Sequence, residues 1–235
     1  MINLSVGELD ISVEKKQIKN MYIRVLPPDG KVKVTAPMSA TEDAIRMFVI
    51  SRIAWVKKQR QRFAEQPRQT ERKYVTGESY YSWGKRYRLD VVYNNVRNDI
   101  AMSDQKIVLQ VRKDSTPQQR ANVMDRWYRE NLKQAIPAVF EKCEKTVGVK
   151  AKEWKIKNMR TKWGTCNAKE KRVWLNLQLA KKTPECLEYV IIHELVHLLE
   201  KNHNDVFKEY MDKFYPNWRT VKAKLNDQML DYMDA

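Results

Sequence analysis

The sequence predicts an α+β protein: an N-terminal β-rich region with one helix, then a C-terminal core in which a small antiparallel sheet packs on helices. Three observations carry this. Apolar and polar residues alternate through NMYIRVL and KVKVTAP near the start and through RVWLNLQLA late in the chain, which is the period of half-buried strands. Apolar residues recur at helical spacing over residues 40–63 and 116–146. The stretch TPECLEYVIIHELVHLLEKNH, residues 183–203, is apolar on most sides, as a buried central helix is. With 235 residues and 43% hydrophobic content, the chain is long enough to bury a sizeable core. It reads as three segments: 1–64, a β-hairpin plus helix; 73–115, β-rich; and 116–235, the helical core.

In order along the chain, residues 1–38 read as strands, with NMYIRVL and KVKVTAP forming a hairpin about PPDG, whose prolines and glycine suit a turn. A helix follows over 40–63, with Ser39 and Glu42 as a capping box and Ile45, Phe48, Val49, Ile53 and Val56 at helical spacing, Trp55 beside them. Its basic tail KKQRQR suits either a helix C-terminus or a phosphate contact. EQPRQTER, residues 65–72, has no apolar residue and reads as a linker. YYSWGKRYRLDVVY gives two strands about Trp83-Gly84, and KIVLQV a third. No internal repeat is visible. Thr116-Pro117 opens a long helix carrying Val123, Trp127, Leu132, Ile136, Val139 and Phe140, which Pro137 should kink or break.

WKIKNMR and RVWLNLQLA read as strands joined by a turn around NAKEK, with Val173, Leu175, Leu177 and Leu179 on one face and Trp174, Asn176 and Gln178 on the other. A strand just before the 183–203 helix is placed to form a sheet edge to which an extended peptide could add. That helix starts well: Thr183 as N-cap, Pro184 in the first position, Glu185 against the dipole. Asn204 then caps a helix to Tyr215, Pro216 stops it, and Trp218, Val221, Leu225 and Met229 mark the last one.

The chemistry concentrates in one place. The chain has three histidines, and all three, His193, His197 and His203, fall in the apolar helix or just past it. His193 and His197 are four apart and share a helix face. Glu194 between them completes HExxH, in which two histidines hold zinc and the glutamate is the general base of a metallopeptidase. His203 joins them only if the helix ends first, since six further helical residues turn it by about 240°. Lys201-Asn202 offers that ending, with Asn202 as a left-handed cap. The ligand spacing is that of the metzincins, but Glu200 stands where those have glycine, so the path after His197 must differ.

The net charge of +16, from 45 Lys and Arg against 29 Asp and Glu, favours an acidic partner, and non-specific DNA contact through basic surface is one reading. Cys143, Cys166 and Cys186 are odd in number and far apart, which argues against a disulfide framework. The first residues have no signal-peptide core, and no apolar run approaches a membrane span. The expectation is a soluble cytoplasmic protein.

DGKVKVTAP, the helix ending AWVKKQ, YRLDV, TKWGTCNAKEKRVWLNLQLA, HELVHL, then NH and F with PNW downstream together resemble the YgjP-like zinc metallopeptidases, whose core is related to that of the SprT-type proteases. The resemblance runs weakly before residue 150 and strongly from Met159 to Trp218. It implies a zincin-like core, Zn2+ held by His193, His197 and His203, Glu194 as catalytic base, and Trp163, Gly164 and Cys166 shaping the site. Lys162 departs from it, since the family usually has arginine there, and any bidentate contact of that arginine would be lost. For the oxyanion, Tyr210 is the first candidate and Tyr189 the second. Trp163, Trp174 and Asn176 are candidates for binding a protein or peptide substrate. Cys166 is either an inert small hydrophobe or a fourth ligand that would close the site. The rival to a peptidase is a DNA-associated accessory protein with a structural zinc.

Overall fold

The structure is a computed structural model and describes residues 2–26, 30–65, 72–94, 97–159 and 162–227. The chain divides into two compact units, Met1–Arg68 and Gln69–Ala235, each with its own apolar cluster. Most of the expected linker lies outside the described residues.

In the first unit, strands β1 (Ile2–Val6), β2 (Leu9–Lys16), β3 (Tyr22–Leu26) and β4 (Lys31–Pro37) form one sheet in the order β1-β2-β4-β3. The central pair β2 and β4 is parallel and both outer pairs are antiparallel. The expected hairpin is β3 and β4, with Val25 opposite Val32; residues 27–29 of its turn are outside the described residues. The single helix expected over 40–63 is two helices, α1 (Glu42–Ile50) and α2 (Ile53–Glu65). Between them the Ser51 hydroxyl donates to the Phe48 carbonyl at 2.8 Å, a side-chain bond that competes with helix continuation. The expected capping box does not form: Thr41, not Ser39, is the N-cap, its Oγ1 accepting from the Ala44 amide at 3.2 Å. Ile45, Val49 and Val56 are buried with the sheet residues Val32 and Val34.

The second unit opens with β5 (Ser79–Ser82), β6 (Lys85–Tyr93), β7 (Asp99–Met102) and β8 (Lys106–Val111), in the order β5-β6-β8-β7. Again the outer pairs are antiparallel and the central pair parallel, so the first unit's topology recurs without a matching sequence pattern. β7 is an addition to the strands expected. Trp83 and Gly84 take φ of +48° and +79°, as the two central residues of a tight hairpin turn require.

Helix α3 (Pro117–Val147) begins with a complete capping box between Thr116 and Gln119. Contrary to expectation, Pro137 does not break it. Pro137 and Lys133, whose carbonyl loses its donor, are both exposed, so that carbonyl is left to water, while Leu132, Ile136 and Phe140 remain buried along one stripe.

Strands β9 (Glu153–Lys157), β10 (Gly164–Asn167) and β11 (Arg172–Asn176) make a sheet in the order β10-β11-β9. It is mixed rather than antiparallel, because β9 runs parallel to β11 and only β10 runs antiparallel to it. The NAKEK turn therefore joins β10, which was not anticipated, to β11. β11 is central and β10 is an edge. The chain leaves β11 as a 3-10 helix, Leu177–Lys181, instead of continuing as strand, and the Asn176 side chain caps that turn by accepting from the Gln178 amide at 3.1 Å.

Tyr80, Leu89, Ile107 and Leu109 of the second sheet share one buried cluster with α3 and with the helix that follows. Segments 73–115 and 116–235 are thus a single unit. The Trp83-Gly84 turn donates its amides to Ala180 O at 2.9 Å and Lys181 O at 3.2 Å. A side chain at Gly84 would meet Thr183 Cγ2 at 2.3 Å. This turn buttresses the start of the histidine-bearing helix. Among the described residues no helix is long and apolar enough to cross a membrane.

Candidate metal centre

Helix α4 (Pro184–Val196) is buried all round: Cys186, Leu187, Tyr189, Val190, Ile191, Ile192, Leu195 and Val196 are each at most 5% exposed. Thr183 occupies the N-cap position, but its hydroxyl bonds the Glu185 carboxylate at 3.1 Å rather than capping the helix. The helix ends earlier than expected, with His197 as its C-cap. Asn202 is not among the described residues with left-handed backbone. The chain is turned by side chains instead. His197 Nδ1 contacts Glu200 O at 3.1 Å, and the Glu200 carboxylate accepts from the Asn202 amide at 2.9 Å. The residue at the metzincin glycine position therefore makes this different path. Helix α5 (Asp205–Phe214) starts at once, Asn204 Oδ1 accepting from the Phe207 amide at 3.0 Å.

This brings the three histidines together. Potential ligand atoms of His193, His197 and His203 all lie within 4.8 Å of one another, and His193 Nε2 is 3.0 Å from His203 Nε2. The Phe207 ring, 3% exposed, sits 4.7–4.9 Å from all three imidazole centroids. It is an apolar floor whose role sequence reading did not assign; the available signal was its place three residues after the Asn204 cap.

Burial lowers the basicity of all three imidazoles, most strongly at His193, which is pushed down to about 3. Lys222 acts in the same direction on His193 and His203. Neutral imidazoles have the lone pairs that a metal needs. A proton on His197 Nδ1, donated to Glu200 O, leaves Nε2 free as the donor atom. Two imidazole nitrogens facing each other at 3.0 Å need a shared proton or a cation between them, and three such nitrogens suit zinc or a similar transition ion. The residues present fit a metal. Among the described residues His193 Nδ1 is buried with no hydrogen-bond partner, and none of them fixes that ring's tautomer.

Glu194 is 5% exposed, and burial pushes its carboxyl up to about 8, with Lys162 acting the other way. Strand β10 runs directly against it: a Cβ on Gly164 would stand 2.6 Å from Glu194 Oε1 and 2.7 Å from its Cγ. Only glycine permits that approach. The cleft over the centre, about 840 Å³, is lined by Trp163, Gly164, Cys166, Tyr189 and Glu194 together with the histidines. Cys166 faces it, its thiol pushed up to about 11 by burial, but it is not in the cluster of ligand atoms.

The other expected site residues are elsewhere. Tyr210 does not line the cleft, and its ring stacks on Phe214 at 5.9 Å. Trp174 lies on the central strand with Lys155 Nζ 5.7 Å from its ring. Asn176 is 1% exposed and is a tether: Nδ2 donates to Met159 O at 2.8 Å and Lys162 O at 2.7 Å, and Oδ1 accepts from the Met159 amide at 3.2 Å. It holds the loop that leads into Trp163 and β10. Trp163 does line the cleft, its indole N–H donating to Asn226 Oδ1 at 3.3 Å.

A family model described as "YgjP-like, metallopeptidase domain" matches residues 19–228. Among solved structures, the chain is similar to the metallopeptidase zymogen abylysin of Pyrococcus abyssi, at 17% identity over 42% of this chain and 99% of that one, TM-score 0.38. It is similar also to the zymogen jannalysin of Methanocaldococcus jannaschii, at 22% identity over 40% and 97%, TM-score 0.37. No curated protein sequence matches.

Proposed function

This chain belongs to the YgjP-like metallopeptidase family, and from that premise we propose that it is a zinc-dependent peptidase with Glu194 as general base. The observation that carries the reading is the convergence of three neutral imidazoles, with ligand atoms within 4.8 Å, next to a buried carboxylate on the same helix. When bound, zinc supplies Lewis acidity and lowers the pKa of water.

His193, His197 and His203 would hold the ion on a frame fixed by α4, by the Glu200 turn and by the Phe207 floor. Glu194 removes the proton from the attacking water and delivers it to the leaving amine. Gly164 sets how far Glu194 reaches, since its missing side chain is what lets β10 lie against the carboxylate. Tyr189 is the oxyanion donor we favour over Tyr210, because it lines the cleft, with its ring 5.8 Å from that of His193. Strand β10 is an edge, and an extended peptide added there passes beside Glu194.

Two features speak against a structural zinc in a DNA accessory protein. Among the described residues no fourth protein ligand joins the cluster, and a structural site has no use for a buried glutamate between its ligands. The test is zinc content and peptide hydrolysis of the wild type and of Glu194→Gln. The variant should keep its zinc and lose about 10²- to 10⁴-fold in rate. Equal activity in both proteins removes Glu194 from the mechanism.

A further inference from the structure

The cleft over the metal centre has an unusual charge balance. Lys162, Lys169, Lys201 and Lys222 all line it, and the one carboxylate among its lining residues is the buried Glu194. All four lysines are exposed. No carboxylate pairs with any of them among the described residues; other exposed lysines such as Lys113 and Lys157 share that state, and what sets these four apart is that they line one cleft. Like charges gathered around one concavity raise its potential and concentrate anions there.

The four come from different elements. Lys162 precedes β10, Lys169 lies in the turn after it, Lys201 follows α4, and Lys222 is on α6 (Trp218–Asp227). The two that flank β10 bracket a strand of four residues, about 13 Å at strand rise. The far side of β10 has no partner strand among the described residues, so an occupant with its own main-chain donors and acceptors fits it. That favours a peptide over a nucleic acid. Trp163, the indole that lines the cleft, is half-buried and already has Lys182 Nζ 5.3 Å from its centroid, which leaves little of its face for base stacking.

We propose that this cleft selects acidic peptides, with aspartate or glutamate side chains on either side of the scissile bond reaching Lys162, Lys169, Lys201 and Lys222. The proposal rests on the peptidase reading above and adds the substrate class to it.

The experiment uses fluorescently labelled decapeptides with aspartate and glutamate flanking an apolar centre, matched to versions carrying asparagine and glutamine. Anisotropy is measured on the full chain as Glu194→Gln, zinc-loaded and zinc-free, and cleavage on the zinc-loaded wild type. The acidic peptide should bind about tenfold or more tightly, the preference should shrink with added salt, and it should persist without zinc. Lys169→Glu and Lys201→Glu, at exposed positions outside the metal ligands, should reduce the preference to less than about twofold. Lys169→Gln controls for folding and should give an intermediate preference.

Equal binding and equal cleavage of the acidic and amide peptides overturns the proposal and leaves the peptidase reading standing. Tight binding of the acidic peptide without cleavage upholds the selectivity and overturns the peptidase reading. A single-stranded oligonucleotide that displaces the peptide, binds more tightly than it does and weakens in the same lysine variants assigns the cleft to nucleic acid and overturns the proposal.

Discussion

Gly164 packs so closely on Glu194 that an added methyl would stand 2.6 Å from a carboxylate oxygen. Either the strand or the carboxylate must move to admit it. Gly164→Ala should therefore keep the fold and the zinc but lose about 10²-fold in kcat, the scale expected for displacing a catalytic group by about 1 Å. Zinc analysis and steady-state kinetics on the same sample check this, and an unchanged kcat would detach Glu194 from its β10 contact. Cys166 and His203 give a paired test. Cys166 lies outside the ligand cluster and His203 within it, so Cys166→Ser should retain one equivalent of zinc while His203→Ala loses most of it at low micromolar free metal. Elemental analysis after dialysis separates the two. Zinc lost from Cys166→Ser would indicate a closed, four-ligand site.

At the scale of elements, the metal helix depends on what holds its two ends. Its start is backed by the β5-β6 turn, where Gly84 has φ +79° and no room for a Cβ beside Thr183. Gly84→Ala combines left-handed strain with overpacking and should cost about 1–3 kcal/mol, measured by urea unfolding. A midpoint equal to wild type would mean that the turn does not support α4. The far end is turned by Glu200, which accepts from the Asn202 amide while its own carbonyl meets His197 Nδ1. Glu200→Ala removes the first of these contacts and should loosen His203 more than His193 or His197. Zinc affinity should fall by about tenfold or more, as second-shell losses do, and competition with a chelator of known affinity reads it.

At the scale of the whole molecule, the two units have separate apolar clusters, and the histidines, Glu194 and the cleft all belong to the second. Residues 69–235 expressed alone should fold and bind zinc with the affinity of the full chain, checked by circular dichroism and zinc titration. The first unit has its own basic run on α2, where Lys57, Lys58 and Arg60 are exposed. Any DNA binding by this run should be electrostatic, falling steeply with salt and depending little on base sequence. Reversal of Lys57, Lys58 and Arg60 to glutamate should weaken it without changing zinc content or hydrolysis of a small peptide. A gel-shift titration that finds no wild-type binding even at about 50 mM salt would leave that charge as solvated surface.

The residues that carry chemistry were legible in the chain because their signal is local. HExxH places His193, His197 and Glu194 on one helix by its spacing alone, the apolar content of α4 fixes its burial, and Asn204 marks the next helix start. Capping at Thr116 and the turn at Trp83-Gly84 are likewise properties of a few adjacent residues. What the chain could not show depends on partners distant in sequence. Whether RVWLN is an edge or a centre depends on where β9 and β10 pair, and the sheet edge expected at β11 is at β10 instead. Asn176, polar at an apparently outward position, is buried because the backbone groups of Met159 and Lys162 bond its side chain. Tyr210 has the spacing to face His203, yet it stacks on Phe214. The lysine ring around the cleft joins residues from four separate elements, and only the tertiary fold places them on one concavity, because charge adds by distance in space and not by distance along the chain.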